Sequence, residues 1–232
     1  MPESAKIVAV KEAIKQVAKP VQDFIEKISG PPAHELAEWM ADGIRGYRFN
    51  TQLKIYDSAM HKLKSANLNP HSVNLKILVP LLENGSLEEE ETMVDMWASL
   101  LANAANGSNG NISVSFPAIL KEINSKEAEI MSVVFGVAKE KPEQKNNLYI
   151  VGVKGDELRK FVGISEHKFE QYIDNLFRLR LLAPPSTTLD FIENSADIPF
   201  MRYTKETVCL TYLGYDFMLA CTSPTETQSS PE

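Results

Sequence analysis

Histidine and cysteine are the side chains with the widest chemistry in this sequence, and they are scattered along it. The four histidines are His34, His61, His71 and His167. They form no HxxxH, HxH or HExxH pattern, the short-range pairs from which many zinc sites take their ligands. Cys209 and Cys221 lack CxxC spacing, so they predict neither a zinc site nor a disulfide framework. We expect no metal site, and free thiols in a reducing compartment.

The common catalytic and cofactor-binding motifs are absent from the sequence. It contains no GxSxG nucleophile elbow, no GxxxxGK[ST] phosphate loop and no GxGxxG dinucleotide loop. Asn103 follows an apolar run and is interpreted as a helix-end hydrogen-bonding residue rather than a catalytic amide. We therefore expect no catalytic residue and no cofactor, and we predict that the protein is not an enzyme.

Two charged groups remain as candidate binding sites. Arg45 and Arg48 are three residues apart on one face of a predicted helix, where they could hold a phosphate or carboxylate as a pair, or bond acids of a neighbouring helix. The four acids from Glu88 to Glu91 could attract a cation, but consecutive helical residues diverge by about 100° and do not converge on one point. We interpret them as the first turn of a helix, stabilised by its positive dipole end.

The elements that must position these residues begin with a heptad helix over residues 1–30. Its seam alternates spacings of three and four through Ile7, Val10, Ile14, Val17, Val21, Phe24 and Ile28. Pro20 is expected to kink this helix, because an interior proline removes a helical hydrogen bond. Docking on its own domain is favoured. Oligomerisation, and attraction of residues 6–28 to a membrane through nearby lysines, stay open.

Helical patterns continue over residues 31–123. One runs to about Ala66, a short one covers Leu75 to Leu82 and is either kinked or ended by Pro80, and a third starts at the acidic run and continues through Trp97. These patterns predict an all-helical N-terminal domain.

The pattern changes over residues 124–221. A helix from Ser125 is followed by a strand at 148–153, two helices around Gly163, strands at 187–192 and 207–211, and a last helix. This order is typical of a winged helix-turn-helix. The predicted fold class is therefore mainly α: an N-terminal helical domain followed by a winged helix-turn-helix-like α+β domain, with a disordered tail over 222–232.

The predicted winged helix supplies candidate DNA or partner contacts. In such folds the start of the second helix enters the major groove. The candidates on the two helices are Lys154, Arg159, Lys160, Ser165, His167, Lys168 and Gln171. Glu166 and Glu170 flank the single lysine at the helix tip, and the chain carries a net charge of −7, which opposes approach to phosphates. We expect nucleic-acid binding to be weak.

The bulk composition places the chain among globular proteins. Of its 232 residues, 44% are hydrophobic and 24% charged. No run approaches the roughly 18 apolar residues of a membrane-spanning helix, and residues 1–10 lack the apolar segment of a signal peptide. A cytoplasmic location is expected.

The sequence from Gly30 to Ile123 resembles the abortive infection alpha family. The similar segments are IRGYRFNTQLKIYDSA, from Ile44 to Ala59, and LKILVPLLENGSLEEEETMVDMWASLLANA, from Leu75 to Ala104. The resemblance implies a cytoplasmic role in bacterial phage defence, in which infection is stopped by arresting or killing the host cell. It implies no reaction and carries no family site.

Three functional hypotheses follow. The first is a non-enzymatic phage-defence protein that acts through a protein partner or as a homo-oligomer. The second is a DNA-binding regulator that uses the winged helix, and the third is a membrane-acting effector that uses residues 6–28. The acidic net charge favours the first over the other two.

Overall fold

The computed structural model describes residues 24, 27–29, 46–106, 112–140, 152–185 and 207–225. The chain divides into two compact units. The first unit contains residues 1–122 and 220–232, and the second contains residues 123–219. The division falls after Glu122, whereas the sequence predicted a boundary after residue 123.

The described helices of the first unit are α1 (Gly46–Ser65), α2 (Leu75–Gly85), α3 (Glu91–Ala105) and α4 (Phe116–Leu120). Helix α1 packs along α3, and residues such as Tyr56, Trp97 and Leu100 are fully buried in the core. Ion pairs from Lys54 to Glu91 at 2.9 Å and from Lys62 to Asp95 at 2.7 Å join the outer sides of these two helices. The core of this unit therefore lies along the contact between α1 and α3.

Most of the predicted heptad helix, including Pro20, lies outside the described residues. Phe24 and Lys27 to Ser29 are described and are helical. Both described seam residues are buried, Phe24 at 3% and Ile28 at 0% exposure, and the Phe24 ring meets that of Tyr56 edge-on with centroids 6.4 Å apart. The seam is in contact with the first unit at these two positions.

Helix α2 continues past Pro80 to Gly85 and does not end at Leu82. Asn74 caps its start by accepting a hydrogen bond from the Lys76 amide at 2.9 Å, and the Asn84 side chain donates to the Pro80 carbonyl oxygen at 2.6 Å. The apolar side chains that α2 buries are Ile77, Leu78, Leu81 and Leu82. Their burial offsets the hydrogen bond that Pro80 removes.

The placement of all four acids in a helical first turn is wrong. Helix α3 begins at Glu91, and its N-cap residue Glu90 has an extended backbone with ψ of 124°. The Glu88 carboxylate accepts hydrogen bonds from the amides of Glu89 and Glu90 at 3.0 and 3.2 Å, which holds the acidic run in a turn instead. Only Glu91 lies where the helix dipole stabilises it.

The C-terminal end of the chain returns to the first unit. The Asn103 side-chain nitrogen lies 2.9 Å from the Ala220 carbonyl oxygen and 2.7 Å from that of Thr222, while the Lys62 ammonium donates to the Ser223 hydroxyl at 2.9 Å. Residues 222–225 are therefore held by side chains of α1 and α3. The rest of the predicted disordered tail, from residue 226, lies outside the described residues.

The described elements of the second unit alternate helices and short strands. They are α5 (Ser125–Lys139), β1 (Gly152–Lys154), α6 (Gly155–Val162), α7 (Glu166–Arg178), β2 (Leu182–Ala183), β3 (Thr207–Leu210) and α8 (Tyr212–Ala220). The strands form an antiparallel sheet in the order β1-β3-β2, with Val153 opposite Val208 and Leu182 opposite Leu210. The protein is thus mainly helical with one small antiparallel sheet among its described residues.

Sequence patterns missed β2. The helix before it ends at Arg178, and Leu182 and Ala183 form the strand after the turn. Arg180 has φ of 58°, a left-handed conformation that turns the chain back from α7 into β2. The strand predicted at 187–192 lies outside the described residues.

Glu127 links the helices of the second unit. Asn124 caps α5 and forms a capping box, in which the Glu127 carboxylate accepts a hydrogen bond from the Asn124 amide at 2.8 Å. The other Glu127 oxygen accepts a hydrogen bond from the Asn175 side chain of α7 at 2.8 Å. Glu127 is only 3% exposed, so this buried hydrogen bond links α7 to the start of α5.

Candidate interaction surface on the second unit

The histidines and cysteines do not gather into a reactive site in the described part of the chain. No three His, Cys, Asp or Glu residues converge as metal ligands there. Burial raises the pKa of the Cys209 thiol to about 11 and raises that of Cys221 as well, so both thiols are protonated near neutral pH and are poor nucleophiles. His34 lies outside the described residues.

The arginine pair is only half described. Arg48 is exposed on α1, and Arg45 lies outside the described residues. Their use as a joint anion or partner contact stays a prediction.

The remaining candidate residues lie at the end of β1 (Lys154), on α6, in the following turn and on α7. We call the exposed residues of 154–178 the α6–α7 surface. Gly163 ends α6 in the left-handed conformation, with φ of 71°, which turns the chain sharply before Ser165. Ser165 caps α7, since its hydroxyl accepts a hydrogen bond from the Lys168 amide at 3.4 Å. The tight turn therefore separates α6 from α7 by only a few residues.

Several of the predicted contact residues bond to their own neighbours. Lys154 lies 3.8 Å from the Glu157 carboxylate, and Arg159 lies 3.6 Å from that of Asp156. Both acids are exposed and stand beside the cations, so they weaken the attraction of this region for phosphates. The charge of α6 is largely balanced within the helix.

The start of α7 is similarly occupied. The side chains of His167 and Gln171 lie 3.2 Å apart and hydrogen bond to each other, and Ser165 is used as the helix cap. Lys160 and Lys168 are exposed, and neither ammonium has a hydrogen bond or ion pair to another described residue. Of the seven predicted contacts, these two lysines are the cations most available to a partner.

Sequence reasoning singled out Glu166 and Glu170 on the α6–α7 surface, but not Asp174 and not the exposure of Phe161. Glu166, Glu170 and Asp174 are four residues apart along α7, and all three are exposed, so they form an acidic row on one side of the helix. Phe161 on α6 is 69% exposed, the most exposed large apolar side chain among the described residues. The four-residue spacing was readable from the sequence, whereas exposure of a phenylalanine runs against its usual burial.

The family model for abortive infection alpha matches residues 48–221. The chain belongs to the abortive infection alpha family. The match extends through the second unit, so the Gly30 to Ile123 span to which the sequence resemblance was assigned omits the C-terminal half of the family's region. No curated protein and no solved structure matches the chain significantly.

The helices of this abortive infection alpha protein give no sign of a membrane span where they are described. None of them is both long enough and apolar enough to cross a bilayer.

The α6–α7 surface combines an exposed aromatic ring, an acidic row and two lysines, a set of groups suited to contact with another protein.

Proposed function

We propose that this protein acts in the cytoplasm in abortive infection as a non-enzymatic protein that contacts a protein partner through its α6–α7 surface. Membership of the family supports the role in abortive infection. The exposed, mixed-charge surface supports a protein partner, because buried aromatic anchors carry much of the binding energy at protein interfaces.

We propose further that the second unit is a winged helix. Its described order of helix, strand, helix, helix, strand and strand supports this assignment, as does the sheet order β1-β3-β2. In that fold α7 takes the position of the recognition helix. The acidic row therefore lies on the helix that would otherwise face DNA.

The observation that carries the proposal is the exposure of Phe161. A side chain of this size left 69% exposed loses the free energy that burial would provide, roughly 1.5 to 3 kcal/mol for a full side chain. Lys160, the residue before Phe161 in the chain, is exposed and charged. An aromatic centre with a polar rim is the usual anatomy of a protein interface.

Replacing Phe161 with serine is expected to abolish most phage protection while leaving the protein folded. Truncating an aromatic anchor costs about 2 kcal/mol of binding, or roughly a 30-fold loss of affinity. Surface substitutions usually change stability by less than about 0.5 kcal/mol. Phage plating efficiency on a bacterial host that expresses each variant measures the first effect, and thermal unfolding measures the second.

Leu87→Ser is the matched control for Phe161→Ser. Leu87 is 54% exposed in the first unit, far from this helix in sequence, so its replacement removes a comparable apolar side chain without touching α6. Protection should be unchanged in this variant. Full protection by Phe161→Ser, or equal loss in both variants, contradicts a contact surface on α6.

The regulator hypothesis rests on Lys160 and Lys168, and we expect DNA binding through them to be weak. Fluorescence anisotropy with duplex DNA at about 150 mM salt should give dissociation constants weaker than micromolar, since few unpaired cations can displace counterions. Lys168→Glu should then change little. Sub-micromolar, sequence-dependent binding that is lost in Lys168→Glu would overturn this expectation in favour of a regulator.

A further inference from the structure

The first unit contains an apolar cavity that none of the functional arguments above uses. Its volume is about 230 Å³. The apolar side chains that line it are Phe24, Met60, Leu63, Leu68 and Pro70. They come from the described part of the N-terminal segment, from the last turns of α1 and from the loop that follows α1.

Backbone hydrogen bonds hold the walls of this cavity in place. The Leu68 amide donates to the Leu63 carbonyl oxygen at 2.9 Å, which folds the loop back onto the end of α1, and Asn67 adopts a left-handed φ of 54° in that turn. The Val73 amide donates to the Ile28 carbonyl oxygen at 2.9 Å. The loop is thus anchored to both neighbouring segments.

Two lysines complete the lining. Lys27 and Lys64 are exposed, and neither ammonium forms an ion pair or hydrogen bond with another described residue. Lys62, two residues before Lys64, is by contrast occupied by Asp95 and Ser223. Two available cations at the edge of an apolar cavity complement a ligand with one negative end and one apolar end.

We propose that this cavity binds a free single-chain anionic amphiphile, with its alkyl chain against Phe24 and Leu63 and its carboxylate or similar head group between Lys27 and Lys64. The volume limits the chain length. A volume of about 230 Å³ is below the roughly 300 to 1,000 Å³ of pockets for drug-sized molecules. A short single chain, such as that of octanoate, is therefore expected rather than a long-chain or two-chain lipid.

Octanoate is the probe for this proposal, and Met60 is the reporter. In protein labelled with ¹³C at the methionine methyl groups, the Met60 signal is assigned from the variant Met60→Leu. Titration of the full chain with sodium octanoate should shift that signal saturably, because the alkyl chain enters beside Met60. Acetate, which has the charge without the chain, should leave the signal unchanged.

The charge requirement is tested with Lys27→Gln combined with Lys64→Gln. Because both lysines are exposed, each ion pair with octanoate is worth about 0.2 to 1 kcal/mol, and losing both should weaken octanoate binding about tenfold. The alcohol 1-octanol, which lacks the charge, should bind both proteins equally. Lys76→Gln removes an exposed lysine elsewhere in the first unit and should have no effect. Absence of saturable octanoate binding, or equal affinity in the double variant, overturns the proposal.

A membrane source is separated by a second measurement. Vesicles of phosphatidylglycerol present the same combination of charge and alkyl chain within a bilayer. If they co-sediment the protein while free octanoate fails to bind, the assignment to a free amphiphile is wrong and the N-terminal segment contacts membranes instead. Binding of free octanoate without co-sedimentation supports the proposal.

Discussion

Replacing Gly214 with alanine is expected to unfold the second unit or to lower its stability by about 3 kcal/mol or more. Gly214 lies in the first turn of α8 and is buried. A Cβ at this position would overlap the Leu181 carbonyl oxygen and lie 2.9 Å from the Leu181 carbonyl carbon. These are backbone atoms that no rotamer change can move, so the cost should reach or exceed the upper end of the usual 1 to 3 kcal/mol for overpacking.

The surrounding hydrogen bonds leave little room for relaxation. The Leu181 carbonyl oxygen accepts hydrogen bonds from the Thr211 amide at 3.1 Å and from the Thr211 hydroxyl at 3.2 Å, and the Gly214 amide donates to that same hydroxyl at 2.9 Å. Moving Leu181 away from an added methyl group would stretch these bonds. Stretching them would weaken the contact between the turn after α7, the end of β3 and the start of α8.

Gly136→Ala is the control for this experiment. Gly136 is exposed within α5, and a Cβ there would have no neighbour within 4 Å. Alanine should stabilise the helix by about 0.5 to 1 kcal/mol, because glycine loses more backbone entropy on folding. Chemical denaturation followed by circular dichroism measures both variants. Equal stability of Gly214→Ala and the parent protein would show that α8 can shift away from Leu181.

Periodicity predicted the existence of most helices but not what happens at their ends. The apolar stripe of α3 is buried, including Trp97, and that of α7 is buried at Ile173 but only partly at Phe177. The start of α3 was misplaced because Glu88 bonds the two following amides, a local competition that apolar spacing does not detect. Strand β2 was missed because it has two residues and is defined by its pairing with β3.

Long-range contacts account for the other differences. Nothing in the local sequence around residue 222 indicates that Asn103 binds its carbonyl oxygen, since the two residues are far apart along the chain. The apolar cavity beside Leu63 has the same origin, because its walls come from three separate segments. Sequence patterns indicate which residues are buried in a core, but they do not indicate where the packing of separate segments leaves a cavity.

The sequence indicated which charged residues lie on this surface, but not which of them are left unpaired for a partner. The pairs Lys154 with Glu157 and Asp156 with Arg159 have the three-residue spacing of helical ion pairs and could have been anticipated from the sequence. The exposure of Phe161 could not, because an apolar residue within a helical pattern is normally assigned to the core. The family match covers residues 48–221, so this surface lies within the region that defines the family.

Replacing Trp97 with alanine is expected to destabilise the first unit by about 3 to 5 kcal/mol. The indole is 1% exposed, and it packs so closely on α2 that a Cβ at Gly85 would lie 3.3 Å from its ring. Ile55 of α1 contacts the same position, since its Cδ1 would lie 2.9 Å from a Cβ at Gly85. Removing the ring would leave a cavity where three helices meet.

Trp97→Phe distinguishes the packing of the ring from the role of its nitrogen. The indole Nε1 is buried and has no hydrogen-bond partner among the described residues, so its removal leaves no group unpaired. The phenylalanine variant should therefore cost about 1 to 2 kcal/mol, well below the alanine variant. Urea denaturation gives both values, and phage plating gives the matching protection. A Trp97→Ala protein with unchanged stability but lost protection would assign Trp97 to a contact site instead of the core.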